Sequence, residues 1–107
     1  MIYRVIITAN AKDNLRQAYE RAADHAPRTA ARWLNRFQAA LQTLSSHPQR
    51  CSLAPENALV EPEIRQFLFG KGRNVYRAPF AIREDEVLVL HGRWGGMEFA
   101  TEEDISM

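Results

Sequence analysis

The sequence contains one cysteine, Cys51, and therefore cannot form an internal disulfide bond. A chain of 107 residues buries enough surface to fold without cross-links, and one reduced thiol is typical of the cytoplasm. The chain has no apolar run near the roughly 18 residues that cross a bilayer, and its N-terminus lacks the features of a signal peptide. We expect one cytoplasmic domain over residues 1–107, without a membrane partner.

Several kinds of catalytic site are also missing from the sequence. The segment Gly70–Gly72 reads GKG, which lacks the spacing of a phosphate-binding P-loop. The three histidines, His25, His47 and His91, have no partner at metal-ligand spacing. No serine lies on a recognisable strained turn of the kind that presents a nucleophile. The sequence therefore predicts no metal site and no cofactor.

Charge is present in quantity but is unevenly distributed. Residues 1–50 carry eight Lys/Arg against three Asp/Glu, whereas residues 51–107 carry six against ten. A basic segment without acidic residues contains Arg65, Lys71, Arg73 and Arg77, and the tail 95–107 has four acidic residues and no cation. This pattern indicates either a binding surface for an acidic partner followed by an acidic tail, or a solvated hairpin beside a chain terminus.

The first half of the chain predicts one strand and two helices. Residues 2–8 are rich in β-formers, and Asn10 is a candidate cap for the first helix, with Asp13 supplying a carboxylate to its first turn. Pro27 separates this helix from a second, whose apolar residues recur at helical spacing from Ala30 through Trp33 to Leu44. We expect the two helices to form an antiparallel hairpin, with Trp33 in the core.

The second half predicts a loop and three strands. Residues 48–62 lack periodicity, and strands are predicted over 64–69, 74–82 and 87–94. Pro79 has no N–H to donate, so it should lie at an edge, a bulge or an interruption. The order β-α-α-β-β-β favours an α+β domain in which the helical hairpin covers one face of a mostly antiparallel sheet.

Two registers of the last hairpin remain open. If Ile82 pairs with Val87, Tyr76 and Phe80 share a face with His91 and Arg93, and Arg77 lies on the other face. A shift of one residue instead brings Arg77, His91 and Arg93 together. We favour the shifted register because it gives the purer apolar face.

A cluster of those three side chains would suit RNA strand cleavage. Histidine ordinarily titrates near neutral pH and can act as general acid or base. Arginines can stabilise the negative charge that develops on the oxygens of the phosphorane. Arg77, His91 and Arg93 are therefore the candidate catalytic residues. Arg65, Lys71, Arg73 and Trp94 are candidates for binding nucleic acid or another target, through phosphate contacts or base stacking.

The segments IRQFLFG and GRNVYRAPFAI…DEVLVLHGR, in this order, resemble the RelE/ParE superfamily, the toxins of type II toxin–antitoxin modules. The resemblance implies a cognate antitoxin that usually carries a DNA-binding domain. Within it, Arg77 matches the arginine of the YR motif that helps to hold the scissile phosphate in RNA-cleaving members. Arg65 matches the IR arginine, and His91 and Arg93 match the start of the final-strand pattern LHVRHGARR.

The resemblance implies two modes of toxicity. RelE-like members cleave mRNA on the ribosome, and ParE-like members poison DNA gyrase without that catalytic set. In this chain the final pattern reads LHGRWGGME, so Trp94 replaces the second histidine and the closing arginines are missing. We expect a toxin that arrests growth by ribosome-dependent mRNA cleavage. The alternatives are a ParE-like gyrase inhibitor and a degenerate member that only binds the antitoxin.

Overall fold

The computed structural model describes residues 2–55, 63–70 and 75–95. Strand β1 (Arg4–Ile7) is followed by helices α1 (Ala9–His25) and α2 (Pro27–Leu41), which are separated only by Ala26. Two short 3₁₀ turns follow, at Gln42–Ser45 and Pro48–Arg50. The remaining strands are β2 (Ile64–Phe69), β3 (Tyr76–Arg83), β4 (Glu86–Val89) and β5 (Arg93–Trp94). The predicted order of helices and strands is confirmed.

Within the described residues the strands form one sheet in the order β1-β4-β3-β2, and β5 pairs with β3 beyond the end of β4. All pairs are antiparallel except β1 with β4, which are parallel because the two helices intervene between β1 and the later strands. Residues 52–54 run along the outer side of β2, where the Gln66 N–H donates to Ser52 O. The fold is α+β, as expected.

Alternation along β3 gives the sheet an apolar face that the helices cover. Tyr76, Ala78 and Phe80 are buried on this face, opposite apolar residues of both helices that include Leu15 and Phe37. Burial of these side chains is the main favourable contribution to folding. Ala81 faces the other way and packs in a second, smaller cluster with Ile64 and Leu90. The helical hairpin therefore covers one face of the sheet only.

The cap of the first helix lies two residues earlier than predicted. Thr8 is the N-cap, since its Oγ1 accepts from the Ala11 N–H and also donates to Val89 O. Asp13 lies beyond the first turn and pairs with Arg16 instead. The prediction of Asn10 as the cap was wrong, because Thr8 ends a strand that is already fixed beside β4.

Other predicted boundaries differ from the observed ones. The first strand is shorter than predicted, and Ile2 makes only an isolated bridge to Ser46. The predicted strand over 87–94 is divided into β4 and β5. The predicted loop begins with the turn Pro48–Arg50, while residues 56–62 lie outside the described part of the chain. Within the described residues, no helix combines the length and apolar character needed to span a bilayer.

Candidate functional site

The break between β4 and β5 is a β-bulge. Phe80 pairs with Val89, and three residues further back Arg77 pairs with Arg93. Two residues of β3 therefore face three residues, 90–92, on the neighbouring segment. Pro79 lies opposite this extra residue, where its carbonyl accepts from the Leu90 N–H. The expectation that Pro79 marks an irregularity is confirmed, and the bulge re-aims the residues that follow it.

The bulge gives the last hairpin a different register on each of its two sides. Before it, Ile82 pairs with Val87, so our preference for the shifted register was wrong for this part of the hairpin. After it, the register is shifted by one residue, and Arg77 lies directly opposite Arg93. Directly paired residues of antiparallel strands share a face. The structure thus brings Arg77 and Arg93, two of the three proposed catalytic residues, together because the register changes at the bulge.

Arg77 is held inside the protein. Its side chain is 6% exposed, and its Nε donates to Gln66 Oε1 at 3.0 Å. Gln66 belongs to β2 and pairs with Pro79, so this contact lies on the face of the sheet away from the helices. The Arg77 guanidinium therefore takes part in an internal polar contact between neighbouring strands.

His91 lies in the bulge and is also buried, at 4% exposure. Asn10 Nδ2 donates to Leu90 O at 3.0 Å and lies 3.3 Å from His91 Nδ1. Because that amide nitrogen is a donor, Nδ1 is the acceptor in this contact. His91 lines the apolar space beside Leu15 and Ala78, on the helix side of the sheet. It is thereby separated from Arg77, which lies on the opposite face.

Tyr76 forms the base of the space between α1 and the bulge. Its ring meets Trp33, Phe37 and Trp94 edge-on, with centroids 5.1 to 5.3 Å apart. A Cβ atom added to Gly92 would lie 2.2 Å from the Tyr76 hydroxyl, so only glycine allows this close approach. Burial raises the pKa of Tyr76 well above its ordinary value. The hydroxyl therefore remains a neutral donor.

A cavity of about 180 Å³ opens above Tyr76. One wall is a single face of α1, with Asn14, Gln17 and Arg21. The other wall is formed by residues 91–94. Asn14 Oδ1 accepts from the Gly92 N–H at 3.0 Å, which ties the bulge to the helix. No aspartate or glutamate of the described residues lines this cavity, so its walls are polar and cationic.

The residues predicted to bind the target have internal contacts where they are described. Arg65 pairs with Glu63 at 2.9 Å and donates to Cys51 O at 2.6 Å. Trp94 packs against Trp33 at 5.2 Å between centroids and belongs to the aromatic cluster. Lys71 and Arg73, like most of the acidic tail, lie outside the described residues. In the part of the chain that the structure describes, no group of three or more metal-ligating side chains occurs.

Sequence reasoning missed four residues that shape this site: Asn10, Asn14, Tyr76 as a hydroxyl donor, and Gly92. One feature of the sequence could have located this site. A glycine lies between His91 and Arg93 inside the predicted strand, and a glycine within a strand suggests a bulge. The asparagines gave no such signal, since amides on an exposed helix face are common. Their role depends on which segment packs beside them.

In the described residues, a helical hairpin on a mostly antiparallel five-stranded sheet, with a cationic cavity at the end of the last strand, defines a small α+β domain. The sequence profile described as "ParE toxin of type II toxin-antitoxin system, parDE" matches residues 5–93, and the chain belongs to this family. The resemblance to the RelE/ParE superfamily is thereby confirmed.

A solved structure, "Chromosomal ParDE TA system from P. aeruginosa", has the same fold as this chain. The TM-score is 0.69 at 17% sequence identity, over 87% of this chain and 96% of the other. No curated protein sequence matches this chain. The chain is a toxin of a type II toxin–antitoxin system, and membership of this family implies an antitoxin partner.

Proposed function

We propose that this toxin arrests growth by binding DNA gyrase and that it does not cleave mRNA. The observation that carries the proposal is the burial of two of the three candidate catalytic side chains. Arg77 is bound to Gln66 and His91 is packed below Asn10, and the two lie on opposite faces of the sheet. A general acid or base must come within hydrogen-bond reach of the reacting proton. This arrangement favours the ParE-like alternative.

The aromatic contacts of Trp94 support the same proposal. This residue stands where RNA-cleaving relatives keep a second histidine, and here its ring packs against Trp33 and Tyr76. A ring held in this way contributes to stability and offers little of its face for stacking on a base. ParE family toxins typically inhibit gyrase. We place this action in the cytoplasm, where gyrase acts on DNA.

The experiment compares two assays on the same protein. The full chain is induced without antitoxin in bacteria, mRNA ends are mapped, and the purified toxin is added to a gyrase supercoiling assay. We expect growth arrest and inhibited supercoiling, with mRNA ends like those of uninduced cells. Co-expression of the antitoxin is the control and should restore growth. Codon-phased mRNA ends with unimpaired supercoiling would contradict the proposal in favour of RNA cleavage. Normal growth with soluble toxin would contradict both.

The antitoxin has a candidate docking surface on the helical hairpin. An open groove of about 330 Å³ has a mainly apolar lining that includes Ile7, Leu15 and Leu34, with Lys12 at its rim. An amphipathic segment that places apolar side chains in the groove and a carboxylate beside Lys12 would complement it. We propose that the cognate antitoxin, which usually carries a DNA-binding domain, supplies this segment.

Charge reversal at the rim tests this surface. Lys12→Glu should weaken antitoxin binding about tenfold or more, because a like charge replaces an attractive one. Arg83→Glu makes the same charge change at an exposed residue that does not line the groove, and it should bind normally. Titration calorimetry of both variants with the antitoxin measures the effect. Equal affinities would remove this groove from the interface.

A further inference from the structure

Hydrogen-bond donors of α1 and of the sheet line the cavity between α1 and the bulge, and the Tyr76 hydroxyl is buried among them without a partner in the described part of the chain. The Tyr76 side chain is 1% exposed, and its hydroxyl has no hydrogen-bond partner among the described residues. Buried polar groups nearly always have a partner in folded proteins. A group bound in the cavity would supply the acceptor that the Tyr76 hydroxyl lacks among the described residues.

The helix wall supplies two more donors. Asn14 uses its Oδ1 to accept from Gly92, which leaves its amide hydrogens for another partner. Arg21 lies about two turns further along the same face and forms no ion pair within the described residues. Gln17, between them, donates its amide to Asp13, which does not line the cavity. Among the described residues, the walls therefore present donors and positive charge, and no carboxylate lines the cavity.

The size of the cavity limits the ligand. About 180 Å³ is room for roughly six water molecules. Small-molecule sites usually have about 300 Å³ or more. One ionic group fits, whereas a complete nucleotide or a peptide does not.

We propose that this cavity is a binding site for a phosphate group, held by Arg21, the Asn14 amide and the Tyr76 hydroxyl. Guanidinium groups bind phosphate oxygens through strong, charge-assisted hydrogen bonds. A phosphate has enough acceptor oxygens to meet donors from the helix and from the sheet together. Gly92 allows the sheet wall to approach closely without a side chain filling the space. The proposal is independent of whether the toxin acts on gyrase or on mRNA.

Two kinds of ligand carry such a phosphate group, and the same donors would bind either of them. The group is free orthophosphate, or the end of a larger molecule whose remainder stays outside the cavity. Binding of orthophosphate and of adenosine 5′-monophosphate to the purified full chain separates them. Equal affinity indicates the free ion, and tighter binding of the nucleotide indicates the larger ligand; either result supports the site.

The test uses amide chemical shifts and calorimetry at constant ionic strength, with chloride as the reference anion. We expect saturable shifts at Asn14 and Gly92 on addition of orthophosphate. Arg21→Ala should weaken binding at least tenfold, and because Arg21 is exposed this variant keeps its fold. Arg83→Ala removes an exposed arginine elsewhere and should bind like the parent chain. Tyr76→Phe should also weaken phosphate binding.

Three outcomes would overturn the proposal. The first is the absence of saturable shifts, which would mean that water alone satisfies the donors. The second is equal affinity of the Arg21→Ala and Arg83→Ala variants, which would mean general charge attraction. The third is shifts that are confined to residues away from α1 and the bulge.

Discussion

At the scale of single residues, Arg77 is the clearest case of a residue that matches a family motif but is buried inside the protein. The guanidinium is buried and its Nε donates to Gln66 on the neighbouring strand. Removing one partner of a buried hydrogen bond leaves the other without compensation. Loss of toxicity after mutation of Arg77 would therefore report on folding as well as on any contact with the target.

We expect Arg77→Ala to lower the free energy of unfolding by about 1–3 kcal/mol. Urea unfolding followed by circular dichroism measures this change. Arg83→Ala, at the exposed end of the same strand, is the matched control and should stay within about 0.5 kcal/mol of the parent chain. A stable Arg77→Ala protein that has lost toxicity would contradict the structural role and restore Arg77 as a functional residue.

Position 92 requires glycine because it lies against one side chain, that of Tyr76. An alanine Cβ at this position would lie 2.2 Å from the hydroxyl and 2.8 Å from Cζ of Tyr76. We expect Gly92→Ala to lower the free energy of unfolding by about 1–3 kcal/mol, because the ring must move within a packed cluster. Thermal unfolding measures it.

Tyr76→Phe in the Gly92→Ala background removes the closest atom and should recover part of the loss. Gly95→Ala is a milder control, since its Cβ would lie 3.1 Å from Val75 O. A Gly92→Ala chain as stable as the parent would show that the bulge has room for a side chain.

At the scale of elements, the attachment of α2 to the sheet depends on Trp33. Its ring stacks on Phe37 at 5.6 Å and also contacts Phe69, Tyr76 and Trp94, which come from three different strands. The helical spacing of apolar residues predicted that Trp33 lies in the core, and its contacts confirm this. The partner Trp94 was instead predicted to meet the target, because strand alternation does not reveal which residues pack beneath a helix.

We expect Trp33→Ala to lower the free energy of unfolding by about 3–5 kcal/mol, because it removes a large ring from the helix–sheet contact. Urea unfolding with near-ultraviolet circular dichroism detects both the stability loss and the loss of aromatic packing. Arg32→Ala, on the exposed side of the same helix, should change little. Equal midpoints for the two variants would show that the aromatic cluster contributes little.

The bulge at residues 90–92 is a feature of the strands that the sequence did not predict. Each of the two predicted arrangements keeps a single register along the whole hairpin. In the structure, one register holds before the bulge and the other after it. Pro79 predicted an irregularity in its own strand, but no prediction placed one at Gly92 on the neighbouring segment. The position of the bulge depends on the two strands being adjacent, which is a property of the assembled sheet.

At the scale of the whole molecule, the buried Tyr76 hydroxyl makes stability depend on alkaline pH. Burial raises the pKa of Tyr76 above its ordinary value of 10.0. The unfolded chain releases this proton near pH 10 while the folded chain retains it, so the stabilisation is present below pH 10 and decreases as the pH rises.

We expect the free energy of unfolding to fall by up to about 1.4 kcal/mol per pH unit above pH 10 through this group. Tyr76→Phe removes the contribution, and its unfolding free energy should fall less steeply in urea titrations between pH 9 and 11. Other groups that titrate in this range are common to both proteins and cancel in the difference. Parallel pH profiles would contradict the assignment.

The order of helices and strands, the apolar faces and the family could all be predicted from the sequence. These follow from local periodicity and from short segments such as VYRAPF, which need no knowledge of distant residues. Tertiary structure decided the cap at Thr8, the two-register hairpin and the burial of Arg77 and His91. It also brought Asn14 and Arg21 together with Tyr76. Each of these depends on contacts between distant segments of the chain or between neighbouring strands, and local pattern carries no information about such contacts.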